Sequence, residues 1–228
     1  MPDPARGTVI FDLDGTLVDS APDLADALDT LLAERRLAPL GLDRVRVLIG
    51  HGVAELVRRA LEQQGQRPGP EELAQAVQRF LKHYTAHLSR KSQPYPGAAE
   101  TLAALRQAGW RLVVCTNKLE AAARGLLEDL GLLPAFALVA GPDTFGVAKP
   151  DPEHLLRCLP AVNPASRLAV LVGDSEIDIA AARAAGLPVI AATWGYARYP
   201  LAALQPDAVV DSLSEVPAAL ERLTVRAG

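Results

Sequence analysis

Two aspartates one residue apart, Asp12 and Asp14, follow an apolar run near the start of the chain. Residues 8–13 have the composition of a buried strand. Side chains alternate along an extended backbone, so both carboxylates are expected on one side of it. Gly15 then lets the backbone turn and present amide groups towards the space between them. Like charges held this close need a cation or a proton between them, whereas an isolated motif of this kind can also be a solvated turn.

The chain after this motif has a helical pattern up to about residue 92. Apolar residues recur at helical spacing in three segments, and each segment has a charged opposite face. The three apolar stripes are Leu24, Leu28, Leu31 and Leu32; Val53, Leu56, Val57, Ala60 and Leu61; and Leu73, Val77, Phe80, Leu81, Tyr84 and Leu88. Residues 19–92 are therefore expected to form a helical cap domain.

Beyond residue 92, apolar strands alternate with helices. Strands are predicted at 110–115, 136–140, 168–172 and 188–192, and helices at 97–108, 119–130, 152–159 and 176–185, before a last short strand and helix. Strands of this kind, separated by helices, form parallel sheets covered on both faces. The predicted fold class is α/β, with a doubly wound, mostly parallel, Rossmann-like sheet. Residues 1–18 and 93–228 form this core, and the cap is inserted after the first strand.

Composition restricts the partners of such a protein. The 228 residues suit one large domain with an insertion, and a formal net charge of −4 argues against nucleic-acid binding. The sequence has no apolar run of membrane-spanning length, and its first residues do not resemble a signal peptide. Two cysteines, Cys115 and Cys158, are too few for a disulfide scaffold and are expected to be buried thiols. We expect a cytoplasmic monomer or homodimer that binds neither nucleic acid nor a membrane.

Polar residues follow each strand that is expected to border the ligand site. Ligands of open α/β sheets bind beyond the carboxyl ends of the strands, where the strand order reverses. The residues at these ends are Asp12 and Asp14 after the first strand, Thr116, Asn117 and Lys118 after the second, Lys149 in the loop after the third, and Asp174 and Asp178 after the fourth. A solvated turn would explain any one group, but four groups in the predicted place indicate one shared site.

The residue types indicate a site for Mg²⁺ and a phosphoryl group. Asp12, Asp14 and Asp174 offer hard oxygen ligands with no His or Cys among them, which suits Mg²⁺ rather than zinc. Three further side chains suit the outer oxygens of a phosphoryl group: the hydroxyl of Thr116, the amide of Asn117 and the ammonium group of Lys149.

The same carboxylates suggest covalent catalysis. An aspartate can attack phosphorus and form an aspartyl-phosphate, and Asp12 is the candidate because it directly follows the strand. Asp14 would then protonate the leaving alkoxide and later activate water. Asp178 lies one helical turn beyond Asp174. It either reaches the metal, directly or through water, or is an acid favoured by the helix dipole.

These groups together resemble the four motifs of haloacid dehalogenase-like hydrolases. In family order they are Asp12-x-Asp14-Gly15-Thr16, Thr116-Asn117, Lys149-Pro150 and Gly173-Asp174-x-x-x-Asp178. The resemblance implies that Asp12 is the nucleophile and Asp14 the acid and base. It also implies that Mg²⁺ is bound by Asp12, Asp174 and the main-chain carbonyl of Asp14. Thr116 and Lys149 would bind the phosphoryl group, with Gly15 opening the backbone to it.

A finer resemblance, to the bacterial phosphoglycolate phosphatases of this family, covers nearly the whole chain. It is carried by residues 11–22, by Leu48-Ile49-Gly50-His51-Gly52 and by Trp194-Gly195-Tyr196. It implies that the loop around His51 and Gly52 closes over the site and contacts the leaving group, although many members carry Asn in place of this histidine. The alternative is a loop between helices with an exposed histidine. Arg46 either pairs with a substrate carboxylate or is a solvated residue on a helix face.

The expected function is therefore Mg²⁺-dependent hydrolysis of a small phosphomonoester. The resemblance implies 2-phosphoglycolate as the substrate, cleaved to glycolate and phosphate. A sugar phosphate, a nucleotide or pyrophosphate is the alternative within the same chemistry, and a phosphomutase is a further relative. Phospho-acceptor signalling domains also combine Asp, Mg²⁺, Thr and Lys. They are a remote alternative, because both acids of this motif share one strand and a long helical insertion follows.

Overall fold

Eight strands occur in the part of the chain that the computed structural model describes, residues 6–159, 168–197 and 199–225. In chain order they are β1 (Gly7–Phe11), β2 (Val18–Asp19), β3 (Gln93–Pro94), β4 (Trp110–Cys115), β5 (Leu138–Ala140), β6 (Ala169–Gly173), β7 (Val189–Ala192) and β8 (Ala208–Val210). Six form one parallel sheet in the order β5-β4-β1-β6-β7-β8. The chain builds from β1 to one edge and then to the other, so the strand order reverses beside β1. This confirms the predicted doubly wound α/β fold.

Ten α-helices lie in the same described residues. They are α1 (Ala21–Glu34), α2 (Leu42–Arg46), α3 (Val53–Gln63), α4 (Pro70–Thr85), α5 (Ala98–Gln107), α6 (Glu120–Asp129), α7 (Pro142–Phe145), α8 (Pro152–Leu156), α9 (Glu176–Ala184) and α10 (Val216–Val225). Pro22 and Pro70 lie in the first turns of α1 and α4, where a missing N–H group breaks no helical hydrogen bond. No helix of the described segments is both long and apolar enough to cross a bilayer.

Both faces of the six-stranded sheet are buried, with alternate residues on opposite faces. In β1, Val9 and Phe11 belong to one apolar cluster and Ile10 to the other. The free thiols of Cys115 and Cys158 are buried in the second cluster, as expected. Burial on both faces explains why the strands are continuous apolar runs in the sequence.

Helices α1 to α4 pack around a third apolar cluster of their own. Leu28, Val57 and Phe80 are buried in it, together with one residue of the sheet region, Ala122 of α6. The chain enters this insertion through β2 and leaves it through β3, and the two strands pair antiparallel. The predicted boundaries of the cap lie at this ribbon, and the division into a cap and a core stays a prediction.

Several local predictions are wrong. The strand predicted at 8–13 ends at Phe11, because Leu13 O accepts hydrogen bonds from Thr16 N and Leu17 N that turn the chain. Between the first strand and residue 110 the sequence pattern predicts helices and no strand. This part of the chain nevertheless contains the strands β2 and β3, and it contains the short helix α2 in addition to the predicted helices. Strand β5 is shorter than the predicted 136–140, and helix α8 is shorter than the predicted 152–159. Elements of two to five residues have too few positions to show a period. The expectation about a signal peptide concerns residues 1–5, which lie outside the described segments.

Candidate active site

The carboxyl ends of β1, β4 and β6 bring the predicted site residues together. Phe11 is level with Val114 on one side and Val172 on the other, so the three strands end side by side. Asp12 continues β1 by donating its backbone N–H to Val172 O at 2.9 Å. A cleft lies between these ends and the helical insertion. Its lining includes Asp12, Asp14, Thr116, Asn117 and Lys118, with Gly50, Gly52 and Tyr84 of the insertion.

Three buried carboxylates form the centre of the site. One oxygen from each of Asp12, Asp174 and Asp178 lies within 4.8 Å of the others. Burial raises the pKa of Asp12 to about 6 against the opposing charge of Lys149. Burial, followed by the charges of Asp12 and Asp178, raises the pKa of Asp174 well above its ordinary value. Asp12 Oδ1 accepts no hydrogen bond of normal geometry from a described residue. The three carboxylates thus carry more negative charge than one lysine balances, and their oxygen donors fit a hard divalent cation.

Asp174 is held by groups from two other segments. Its Oδ1 accepts a hydrogen bond from Thr16 Oγ1 and its Oδ2 accepts one from Tyr196 N, both at 2.7 Å. A Cβ atom at either Gly15 or Gly195 would collide with this carboxylate, and Gly15 also has a φ of +91°. The carboxylate occupies the space that these side chains would fill. Gly15 therefore makes room for Asp174, and its expected contact with phosphate stays a prediction.

Lys149 lies between two of the acids. Its Nζ is 2.9 Å from Asp12 Oδ1 and donates to Asp178 Oδ1 at 2.6 Å. Burial opposes the charged form of this lysine, but Asp12 and Asp178 outweigh it and hold its pKa above its usual value. The other oxygen of Asp178 accepts hydrogen bonds from the Ser175 N–H and hydroxyl groups. Asp178 thus positions Lys149 in addition to contributing an oxygen to the cluster.

The Asp14 carboxylate is held away from that cluster by different partners. Lys118 Nζ lies 2.8 Å from its Oδ1 and 2.9 Å from its Oδ2, and the Ser20 hydroxyl donates to Oδ1. Asp14 also lines the cleft. The sequence places Lys118 at a strand end but assigns it no role, and it gives no signal for Ser20. The position of Lys118 directly after Thr116 and Asn117 was the available clue.

Asn117 connects the insertion to the sheet. Its Nδ2 group donates to Gly50 O at 3.0 Å and to Lys149 O at 2.9 Å, and its Oδ1 accepts from Lys149 N at 2.9 Å. Both side-chain N–H donors are therefore used within the protein. Thr116 differs, because its hydroxyl oxygen accepts from Lys118 N at 3.2 Å and its O–H group stays available to a phosphoryl oxygen.

The residues predicted in the insertion are divided between two places. Gly50 and Gly52 line the cleft, and a Cβ at Gly52 would come within 3.3 Å of Asn117 O. His51, between them, is partly buried. Arg46 instead pairs with Asp19 of β2 at 3.0 Å, and Tyr196 Oη donates to the same carboxylate at 2.6 Å. The structure thus places Arg46 at the ribbon that leads into the insertion.

Comparison with known proteins agrees with this geometry. The model of the haloacid dehalogenase-like hydrolase family matches residues 7–186. A phosphoglycolate phosphatase of Mesorhizobium japonicum is 40% identical over 98% of this chain and 98% of its own length, and one of Agrobacterium fabrum is 42% identical over 96% and 95%. A crystal structure described as a predicted phosphoglycolate phosphatase from Haemophilus somnus superposes with a TM-score of 0.86 at 30% identity, covering 95% of this chain and 99% of that one. The chain therefore belongs to the haloacid dehalogenase-like hydrolase family, and it is a phosphatase of that family.

Proposed function

We propose that this phosphatase hydrolyses 2-phosphoglycolate to glycolate and phosphate with the help of Mg²⁺. The observation that carries the proposal is the division of the acids at the sheet edge. Asp12 lies in a buried cluster with Lys149, whereas Asp14 faces the cleft. This division supports a role for Asp12 in the attack on phosphorus and a role for Asp14 in exchanging a proton with the leaving group. The choice of substrate is supported by the names of the relatives that match nearly the full chain.

The proposed reaction has two steps. Asp12 attacks phosphorus, the P–O ester bond breaks, and the leaving oxygen takes the bonding electrons and a proton from Asp14. Asp14 then takes a proton from water, which attacks the aspartyl-phosphate and releases phosphate together with free Asp12. Lys149 and the Thr116 hydroxyl would bind the outer oxygens of the phosphoryl group, whose charge spreads in the transition state.

The metal would be held at the three carboxylates whose oxygens lie within 4.8 Å of one another. Asp12 and Asp174 would supply carboxylate oxygens, with Asp178 beside them, and the family resemblance adds the main-chain carbonyl of Asp14. When bound, Mg²⁺ would neutralise negative charge on the phosphoryl group and on the carboxylates. The fit of Mg²⁺ rests on the all-oxygen donor set and on the raised pKa values of Asp12 and Asp174.

The helical insertion, residues 19–92, would act as the cap over this site. Gly50 and Gly52 belong to it and line the cleft, and Asn117 bonds to Gly50 O across the boundary. A cap in this position excludes bulk water and large substrates during the reaction. The cytoplasmic location and the monomeric or dimeric state stay predictions of the sequence.

Phosphate release measured across a panel of small phosphate esters tests the proposal. The panel contains 2-phosphoglycolate, sugar phosphates, nucleotides and pyrophosphate, each with and without Mg²⁺. We expect multiple turnovers of 2-phosphoglycolate, dependence on the metal, and no turnover by Asp12→Asn. If the enzyme prefers another ester, the proposed substrate is wrong but the proposed reaction mechanism still stands. Unchanged activity of Asp12→Asn, or a single stable phosphorylation of the wild type, would overturn the mechanism.

A further inference from the structure

Lys118 and Tyr84 face each other at the boundary between the insertion and the sheet. Lys118 Nζ lies 4.8 Å from the centre of the Tyr84 ring, within the range of a cation–π contact. The lysine follows β4 and the tyrosine lies near the end of α4. Both line the same cleft as Asp12 and Asp14. The proposed reaction uses neither side chain for the substrate.

The Tyr84 hydroxyl is a buried donor without an acceptor. Tyr84 is only 2% exposed, and its hydroxyl forms no hydrogen bond of normal geometry with any residue in the described part of the chain. A buried polar group in this state costs free energy, so such groups are normally satisfied by protein, water or a ligand. Burial also raises the pKa of Tyr84 to about 12, which keeps the hydroxyl protonated as a donor.

Lys118 has donor capacity beyond its bond to Asp14. An ammonium group has three N–H donors, and the two oxygens of one carboxylate take up at most two of them. The Lys118 side chain is 6% exposed, so its remaining donor faces protein or cleft rather than bulk solvent. A bound anion could therefore be contacted by Lys118 and by the Tyr84 hydroxyl.

The rest of this part of the cleft is apolar. Its wall includes Leu24, Ile49, Val53, Leu56, Phe80 and Leu81. Among the described residues that line the cleft, Lys118 is the only basic one. A polyol leaving group would lose hydrogen bonds to water against such a wall and find few partners. A small leaving group with one negative charge would instead form an ion pair with Lys118, and this interaction would compensate for its loss of water.

We propose that Lys118 and the Tyr84 hydroxyl bind a carboxylate on the leaving group of the substrate. The inference rests on the proposed function, in which Asp14 exchanges its proton with the ester oxygen. Lys118 Nζ lies within 2.9 Å of the Asp14 oxygens, so it is close to the place of that ester oxygen. The carboxylate carbon of 2-phosphoglycolate is two bonds from the ester oxygen, which suits this proximity. Arg46, by contrast, is paired with Asp19 outside the lining of the cleft.

Two substrates that differ only at the carboxylate test the inference. They are 2-phosphoglycolate and its neutral amide, 2-phosphoglycolamide. The readout is the ratio of kcat/KM for the acid to kcat/KM for the amide. We expect this ratio to fall about tenfold in Tyr84→Phe, the loss of one hydrogen bond to a charged group. In Lys118→Met we expect a fall of about a hundredfold or more. Lys82→Met removes an exposed lysine on α4 and should leave the ratio unchanged.

Each outcome either supports or overturns the proposal. A wild type without preference for the acid, or equal losses on both substrates in the two variants, would overturn it. In the second case Lys118 would act only through Asp14. If Lys118→Met does not fold, the ratio in Tyr84→Phe decides, because that change removes no hydrogen bond of normal geometry among the described residues. A wild type that hydrolyses neither substrate would contradict the proposed function itself, which is a different result.

Discussion

At the scale of single residues, Lys149 is the main counter-charge of the buried acids. It contacts Asp12 and Asp178 at 2.9 and 2.6 Å, and its side chain is 2% exposed. Removal of one partner from a buried ion pair leaves a charge that neither water nor protein compensates. The stability of the metal-free protein should therefore depend on this lysine far more than on a lysine at the surface.

Lys149→Met tests this dependence. We expect the free energy of unfolding in EDTA to fall by about 3–5 kcal/mol, because Asp12 and Asp178 lose their shared cation. Urea unfolding followed by circular dichroism would measure the change. The matched control is Lys91→Met, which breaks an exposed ion pair with Asp26 and should cost less than about 1 kcal/mol. Similar losses in the two variants would contradict the prediction.

Gly195 makes a second prediction at this scale. A Cβ atom there would collide with the Asp174 carboxylate, which is also bonded to the neighbouring Tyr196 N. In Gly195→Ala the carboxylate has to move, so we expect the Mg²⁺ concentration for half-maximal activity to rise at least about tenfold. Such a rise corresponds to roughly 1.4 kcal/mol. Gly69→Ala is the control, because its Cβ would meet nothing within 4 Å. An unchanged metal requirement in Gly195→Ala would contradict this role.

The residues of the site differ in how far the sequence could reveal them. Asp12, Lys149 and Asp174 carry charges at strand ends, where a topological rule places ligands. The contact between Tyr196 and Asp174 joins segments 22 residues apart, and that between Ser20 and Asp14 is made by a hydroxyl with no diagnostic spacing. Contacts of this kind depend on the folded path of the chain, which no local pattern encodes.

At the scale of elements, the return of the chain from the insertion is fixed by Asp23 in the first turn of α1. Its carboxylate accepts hydrogen bonds from Lys91 N, from Ser92 N at 2.7 Å and from Ser92 Oγ at 2.6 Å. Asp23 is 3% exposed. These bonds lie directly before β3, so they join the start and the end of the insertion.

Asp23→Ala should loosen this junction. Buried N–H donors would lose their acceptor, and we expect a loss of about 3 kcal/mol in the free energy of unfolding. Amide hydrogen exchange at Lys91 and Ser92 should become faster as well. Asp26→Ala on the same helix removes only an exposed ion pair with Lys91 and should change neither quantity by much. Equal effects of the two substitutions would exclude a special role for Asp23.

The elements themselves were predictable in proportion to their length. Helices with two or more turns of apolar periodicity, such as α1 and α4, and the apolar strands β4 and β6 were expected within a few residues. The ribbon of β2 and β3 was not, because two residues show no period. Its pairing joins distant positions, Val18 with Pro94 at a separation of 76 residues and Asp19 with Gln93 at a separation of 74. The local hydrophobic pattern of the sequence thus predicts helices and strands that bury one or both faces. It misses short strands that form only because they pair with a distant segment.

At the scale of the whole molecule, the site has an unbalanced charge. Its ionisable side chains are Asp12, Asp14, Asp174 and Asp178 against Lys118 and Lys149. With all groups ionised, four negative and two positive charges leave an excess of two negative charges. A bound divalent cation would balance this excess, and without one the protein should retain protons instead. Stability should therefore depend on pH differently with and without the metal.

The sign of this dependence follows from the raised pKa values. Asp12 has an ordinary pKa of 3.8, and burial raises it to about 6 in the metal-free fold. Between these values the folded state keeps a proton that the unfolded state has released. The free energy of unfolding should thus fall as the pH rises through this window, by about 3 kcal/mol for a shift of this size. The raised pKa of Asp174 acts in the same direction.

Urea unfolding between pH 4 and pH 7 gives the free energy of unfolding as a function of pH. One curve is measured in EDTA and one in saturating Mg²⁺, and the difference between them is the effect of the metal. Ordinary carboxylates elsewhere contribute equally to both curves and cancel. We expect the two curves to separate as the pH rises, with the Mg²⁺ curve higher, because the cation binds the ionised carboxylates and only in the folded state. In Asp12→Asn one of the titrating groups is absent, so the separation should shrink. Parallel curves for the wild type would show that the buried acids do not bind the metal.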